Sequence, residues 1–258
     1  MAFTIALSGK GGSGKTTVAA LAVCAIVERT GRAVLAVDAD PNATLGLALG
    51  VPVTGTIADI REDALERRLA VSPGMDRQRA IEYAIHRCLG EHKGFDLLTM
   101  GRPEGPKCYC YVNHLLRAYL DRVSSDYSFV VIDNEAGMEH LSRRTTTGVD
   151  LLVVVSEPTV VGLRSAGRVL ETAESLPITV REKVLILNRV RAEGLSAAAQ
   201  RQVEELGVPV AGVVPEEDAL RELAEAGRPV TEAPAHLPAL RVVAELVAAW
   251  VPVETPAR

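Results

Sequence analysis

Seven short apolar runs, separated by longer segments of helical pattern, set the strongest limit on the fold of this chain. The runs are continuous rather than alternating, which is typical of strands buried on both faces of a sheet. They cover residues 3–7, 33–37, 95–99, 129–132, 151–155, 184–187 and 208–214. Helices are predicted over 15–30, 112–124, 160–175, 195–206, 217–226 and 240–250. This alternation predicts an α/β fold with a doubly wound, mostly parallel sheet flanked by helices.

Composition and charge narrow the class of protein further. The 258 residues are 48 % hydrophobic but only 3 % aromatic, so we expect one domain over 1–258 with an aliphatic core. The more polar segment at about 56–93 is interpreted as a helical insertion. The net charge is −5 without a concentrated basic face, so a nucleic-acid partner is not expected. Without a signal-peptide pattern or an apolar stretch of about 20 residues, we expect a cytoplasmic protein with no membrane partner and with reduced cysteines.

A glycine-rich stretch, G-K-G-G-S-G-K-T-T, follows the first predicted strand and opens the first predicted helix. It fits the pattern G-x-x-x-x-G-K-[ST] in the context that this phosphate-binding motif requires. Lys15 is expected to reach the β- and γ-phosphates of ATP, and the hydroxyl of Thr16 to bind Mg²⁺. The predicted nucleotide-binding residues of the loop are Gly9, Gly11, Gly12, Ser13, Gly14, Lys15, Thr16 and Thr17.

Carboxylates follow two of the other predicted strands. Asp38 and Asp40 lie in V-D-A-D-P-N after the second strand, and Asp133 closes the apolar run F-V-V-I-D. Strand ends in open α/β sheets face the ligand crevice, so these groups can support Mg²⁺ or orient an attacking water. For the Asp38–Asp40 pair, the alternative is a turn or helix cap. Asp133 is expected near Mg²⁺, and together the carboxylates predict ATP hydrolysis.

Two later strand ends are candidates for binding the base. Asn188 stands in L-I-L-N-R, and its amide can both donate to and accept from an adenine edge. Pro215 stands in V-V-P-E-E-D, in a loop that can enclose the base. The alternative for both positions is the ordinary polarity of strand ends.

Lys10, which follows the first glycine of the loop, gives the chain a second lysine there. In this feature it resembles the deviant class of P-loop ATPases, which includes the Min and Par positioning ATPases and the nitrogenase iron protein. The resemblance implies that Lys10 reaches across a homodimer to the partner's nucleotide, and that Asp40 positions the attacking water. Lys10, Lys15 and Asp40 are therefore the predicted catalytic residues, and Asp38 joins Thr16 and Asp133 as a predicted Mg²⁺ residue. The alternative for Lys10 is a solvated loop side chain.

Cys108 and Cys110 stand one residue apart in a predicted metal-binding loop at about 101–112. Residues i and i+2 of an extended segment project to one face, so both thiolates can converge on one ion. A closed Zn²⁺ site needs four ligands, and a two-fold dimer supplies the other two. The same four sulfurs, flattened, can hold Ni²⁺. A buried spectator pair, a redox pair and a bridging iron–sulfur cluster are the alternatives, and His114 is either an extra ligand or a helix-surface residue.

The other cysteines and a nearby histidine carry weaker signals. Cys24 and Cys88 fall in helical patterns and are interpreted as small hydrophobic residues. His140 follows Ala136 and Gly137, which are interpreted as the start of a second switch loop. No role is assigned to His140.

The segment G-R-P-E-G-P-K-C-Y-C-Y-V-N-H-L-L-R resembles the signature of the carbon monoxide dehydrogenase maturation ATPases, which insert nickel. The stretch D-N-E-A-G-M-E-H-L-S-R is similar to that family's switch region. Lys107 departs from the small residue usual there. The resemblance implies an ATP-driven homodimer that bridges Ni²⁺ or Zn²⁺ and delivers nickel to carbon monoxide dehydrogenase. A MinD/ParA-like regulatory or positioning ATPase, and a redox ATPase with a bridging cluster, remain the alternative functions.

Overall fold

The structure, a computed structural model, describes residues 2–65, 76–102, 126–135, 148–176 and 178–251. Its strands are β1 (Phe3–Ser8), β2 (Val34–Ala39), β3 (Gly90–His92), β4 (Phe95–Thr99), β5 (Phe129–Asn134), β6 (Gly148–Ser156), β7 (Thr179–Val190) and β8 (Val210–Pro215). Its helices are α1 (Lys15–Thr30), α2 (Leu45–Leu49), α3 (Ile57–Leu65), α4 (Arg77–Cys88), α5 (Val160–Ser175), α6 (Ala197–Leu206), α7 (Asp218–Glu225) and α8 (Pro238–Trp250), with a 3₁₀ turn at Val230–Glu232.

The strands of the described ranges form one sheet in the order β3-β4-β2-β5-β1-β6-β7-β8. Neighbouring strands pair parallel, except that the edge strand β3 runs antiparallel to β4. The predicted doubly wound, mostly parallel α/β fold is therefore confirmed.

Both faces of the sheet are covered, because alternate residues of each strand enter different cores. In β5, Phe129 and Val131 pack into the core that contains α1 and α8, whereas Val130 and Ile132 pack into the core that contains residues of α3, α4, α5 and α6. Burial on both faces explains why the strand segments are continuously apolar. Within the described ranges, no helix combines the length and the apolar character needed to cross a membrane.

Polar side chains are buried where the central strands end. Ser8 ends β1, Asp38 lies next to the last residue of β2, Asp133 and Asn134 close β5, and Asn188 lies near the end of β7. Parallel strands place their carboxyl ends at one edge of the sheet, so the fold collects these groups beside the loop between β1 and α1.

Some elements differ from the sequence predictions. The short helix α2 and the three-residue strand β3 were not predicted, and β7 begins at Thr179 rather than at 184. The first residues of β7 are mostly exposed and polar, but their backbone pairs with β6. The predicted helix over 112–124 and the predicted metal-binding loop from residue 103 onward lie outside the described residues.

Candidate functional site

The loop between β1 and α1 has the backbone shape of a phosphate-binding loop. Gly12 has a φ of 84° and Gly14, which caps α1, has a φ of 86°. This left-handed region suits glycine because it has no Cβ. The N–H of Ser13 donates to the carbonyl of Lys10 at 3.0 Å, which closes the turn. Such a turn opening a helix directs backbone N–H groups toward a bound anion.

Two glycines of the loop allow close packing against the sheet. A Cβ on Gly9 would lie 2.2 Å from the carbonyl oxygen of Val155, at the end of β6. A Cβ on Gly14 would lie 2.3 Å from Nδ2 of Asn188. This amide is 6 % exposed and donates to the carbonyl of Ser13 at 2.8 Å. Asn188, which was predicted to contact the base, therefore binds the backbone of the phosphate loop.

The loop lysine and an aspartate from β2 form a buried ion pair. Nζ of Lys15 lies 3.0 Å from Oδ2 of Asp40, and the two side chains are 7 % and 10 % exposed. Oδ1 of Asp40 accepts from the backbone N–H of Asn42 at 3.0 Å and from its side-chain amide at 2.8 Å. Burial acts to raise the pKa of Asp40, but the hydrogen bonds from Asn42 and Lys15 outweigh it and lower this pKa. An ionised Asp40 therefore lies directly beside Lys15.

Thr16 and Asp133 form the second pair of the site. The Thr16 hydroxyl donates to Oδ2 of Asp133 at 2.6 Å. Asp133 is fully buried, and its Oδ1 has no hydrogen-bond partner in the described part of the chain. Burial raises the pKa of this carboxyl to about 7, although the hydrogen bond from Thr16 and the charge of Lys15 oppose the rise. A hydroxyl beside an unpaired carboxylate oxygen is the hard-oxygen donor set that fits Mg²⁺.

Asp38 makes contacts of another kind. Its Oδ1 accepts from the N–H of Asp40 at 3.2 Å, and its Oδ2 accepts from the N–H of Leu45, the first residue of α2, at 2.8 Å. Burial raises its pKa to about 6, against the effect of these hydrogen bonds. These contacts correspond to the turn and cap that the sequence left open as the alternative to Mg²⁺ binding. They fix the loop that carries Asp40.

The remaining predicted nucleotide residues lie around this centre. Lys10 is exposed, and across the described ranges its ammonium makes no ion pair. Thr17 is half-buried in the first turn of α1. Pro215 lines a cavity of about 540 Å³ between the ends of β7 and β8, together with Val190 and Val213. Its lining begins at Val190, two residues after Asn188 in the sequence.

Sequence reasoning missed three residues of the site. Nη1 of Arg189 donates to the carbonyl of Gly12 at 2.9 Å and lies 3.1 Å from Oε1 of Glu157. The buried amide of Asn134 donates to the carbonyl of Leu7 at 3.1 Å and joins β5 to β1. Arg189 is adjacent to Asn188 in sequence, but strand alternation predicts the opposite face for it, so no pattern indicated the contact.

The cysteines predicted to bind Ni²⁺ or Zn²⁺, Cys108 and Cys110, lie outside the described residues. The same holds for His114 and His140. Cys24 and Cys88 are half-buried against the two cores, and burial raises the pKa of both thiols. In the ranges that the structure describes, no group of three or more His, Cys, Asp or Glu side chains is placed to hold a metal ion.

The fold and the loop define a P-loop nucleotide-binding protein. Residues 4–230 match the CbiA family, described as the CobQ/CobB/MinD/ParA nucleotide binding domain. The chain belongs to this family and is an ATPase.

The chain is similar in sequence to two further proteins and in structure to a third. An uncharacterized ATP-binding protein of Methanocaldococcus jannaschii is 39 % identical over 244 residues, 94 % of this chain and 96 % of that protein. The carbon monoxide dehydrogenase accessory protein CooC of Rhodospirillum rubrum is 32 % identical over 185 residues, 67 % of this chain and 70 % of that protein. The septum site-determining protein MinD of Pyrococcus horikoshii, solved with Mg-ADP, has a TM-score of 0.67, 25 % identity and 96 % coverage of both chains.

Proposed function

We propose that this ATPase is a metallochaperone. Its ATP-bound homodimer would hold Ni²⁺ or Zn²⁺ between Cys108 and Cys110 of the two chains and assist nickel insertion into carbon monoxide dehydrogenase. The observation that carries the proposal is the C-Y-C stretch in a chain that is 32 % identical to a carbon monoxide dehydrogenase accessory protein. Four thiolates suit either metal, in tetrahedral or square-planar geometry. The recipient enzyme and a cytoplasmic location are part of the proposal.

The contacts of the phosphate loop support the nucleotide chemistry. The loop N–H groups would bind phosphate oxygens, and Asp40 keeps the ammonium of Lys15 where the phosphates arrive. Thr16 and Asp133 would hold Mg²⁺, which neutralises phosphate charge when it is bound with ATP. The ionised carboxylate of Asp40 would orient the attacking water. Asn188, and Pro215 from the wall of the cavity, would contact the base.

The exposure of Lys10 supports nucleotide-driven pairing. A lysine in a phosphate loop without an ion pair in the described ranges is free to bind an anion outside its own chain. In a homodimer that anion would be the partner's nucleotide. Pairing would bring the two cysteine pairs together, so ATP and metal would be coupled ligands, each raising the affinity for the other by the same factor.

Light scattering with Mg·ATP tests the pairing step. The wild-type chain should shift from monomer to dimer when ATP is added. Lys10→Ala should remain monomeric while still binding Mg·ADP, because the lysine acts on the other chain. Lys93→Ala is the matched control, since Lys93 is exposed in the turn between β3 and β4, and this variant should dimerise like wild type. A Lys10→Ala protein that dimerises like wild type would reject the cross-dimer role.

The similarity to MinD supports a second candidate, a positioning ATPase. Such a function requires a surface partner, and α8 offers little charge for a lipid headgroup: its two charged residues, Arg241 and Glu245, pair with each other at 3.9 Å. Pelleting with anionic vesicles and Mg·ATP separates the two functions. We expect the protein to stay in the supernatant, and ATP-dependent pelleting would favour the positioning ATPase.

A further inference from the structure

Two consecutive residues at the end of β7 bind two consecutive carbonyls of the phosphate loop. Nδ2 of Asn188 donates to the carbonyl of Ser13 at 2.8 Å, and Nη1 of Arg189 donates to the carbonyl of Gly12 at 2.9 Å. Consecutive side chains of a strand ordinarily point to opposite faces of the sheet. Their convergence on one loop therefore requires a local change in the backbone.

That change is visible at Arg189. Its φ is 57°, in the left-handed region that bulky residues rarely adopt because of steric cost. The pairing of β7 with β8 is also irregular between Leu187 and Val190. The left-handed residue turns the Arg189 side chain to the side on which Asn188 already lies. Backbone strain at this position is thus linked to a specific contact with the phosphate loop.

A carboxylate from a third strand end orients the guanidinium. Oε1 of Glu157, the residue after β6, lies 3.1 Å from Nη1 of Arg189. The two side chains are 47 % and 39 % exposed, so solvent screens this ion pair and its attraction alone is weak. Its geometric effect is to direct the guanidinium toward Gly12. Arg189 therefore connects the loops that follow β1, β6 and β7.

We propose that Arg189 is a positioning residue for phosphate binding. In each peptide the N–H points away from the carbonyl. Asn188 holds the carbonyl of Ser13, which leaves the N–H of Gly14 free to face the phosphates. Arg189 holds the carbonyl of Gly12, whose peptide donates its N–H to the carbonyl of Lys10, so Arg189 fixes the turn that shapes the loop before ATP arrives. Arg189 acts on the part of the loop nearest Lys10, whereas Asn188 acts on the part nearest Lys15. The proposal concerns nucleotide binding only and does not depend on the cysteine pair.

The variant Arg189→Gly tests this role, because glycine adopts the observed φ without strain. In the absence of nucleotide we expect its melting temperature to equal or exceed that of wild type. Its affinity for Mg·ADP, measured by isothermal titration, should fall about tenfold, the effect of one charge-assisted hydrogen bond. Arg181→Ala is the matched control, since Arg181 pairs with Asp150 at the opposite end of β7. That variant should bind Mg·ADP like wild type.

A double-mutant cycle with Glu157→Ala separates positioning from general stabilisation. Alone, Glu157→Ala should weaken Mg·ADP binding about threefold, because the guanidinium is no longer oriented. In the Arg189→Gly background it should have no further effect. Wild-type affinity in Arg189→Gly, or an equal effect of Glu157→Ala in both backgrounds, overturns the proposal. If Arg189→Gly does not fold, unchanged binding in Glu157→Ala overturns it, and weakened binding at an unchanged melting temperature supports it.

Discussion

Ionisation of the buried carboxyl of Asp133 lowers the free energy of unfolding of the nucleotide-free protein. Its pKa rises from an ordinary value of 3.8 to about 7, which corresponds to about 4 kcal/mol when the group is ionised. Between these two pH values the folded protein binds more protons than the unfolded chain, so this group's contribution to stability falls as pH rises. Asp133→Asn removes the charge and keeps the shape. Because surroundings relax around a buried charge, we expect a gain of about 2 kcal/mol at pH 8.

Urea unfolding without nucleotide or divalent metal measures this gain. At pH 5 the folded wild type is largely protonated at Asp133, so the gain should fall below about 1 kcal/mol. Asp38, whose pKa is also raised by burial, is present in both proteins, and its charge adds to the rise in the pKa of Asp133. Asp150→Asn is the matched control, because the oxygens of Asp150 already accept from Thr4 and Arg181. It should lose stability at both pH values.

The pH dependence distinguishes burial of the charge from other effects of the substitution. If Asp133→Asn is less stable than wild type at pH 8, or if its gain is the same at pH 5 and pH 8, burial of the charge is not the dominant effect. The variant should also lose the stabilisation that Mg·ADP gives wild type, because Thr16 would no longer lie beside a carboxylate.

Two further predictions concern the loop and the attacking water. Gly9→Ala should destabilise the protein by about 1–3 kcal/mol in thermal unfolding, because its Cβ would lie 2.2 Å from the carbonyl of Val155, whereas Gly11→Ala meets no atom within 4 Å and should stay within about 0.5 kcal/mol of wild type; equal losses would contradict the packing argument. Asp40→Asn should lower kcat for phosphate release at least about a hundredfold while Mg·ADP still binds, because the carboxylate that orients water is lost but Lys15 remains; an unchanged kcat would remove Asp40 from the reaction.

Sequence patterns predicted the parts of the fold that depend on burial. Each apolar run of the sequence corresponds to a strand, because strands of a parallel sheet are buried on both faces and are therefore continuously apolar. The strand β3 has no such run: it is short, mostly exposed and polar, and it forms because its backbone pairs with β4. The first residues of β7, from Thr179 to Lys183, were missed for the same reason: they are mostly exposed and polar, and their backbone pairs with β6.

The candidate site was predicted in its residue types but not in all of its contacts. The glycine motif indicated the loop, and the strand-end carboxylates Asp40 and Asp133 lie beside it, next to Lys15 and Thr16 respectively. Arg189 was missed because its contact depends on a left-handed backbone angle that no residue pattern indicates. The hydrogen bonds of Asp38 to the backbone depend in the same way on the path of the loop after β2.

We propose that nucleotide joins two chains around one metal ion that neither chain binds fully alone. Metal analysis of the dimer fraction, isolated anaerobically with Mg·ATP, tests it most directly. We expect one Ni²⁺ or Zn²⁺ per two chains in wild type, and none in a Cys108→Ala/Cys110→Ala variant that still binds Mg·ADP. The same metal content in the variant, or one ion per monomer in wild type, would contradict the claim.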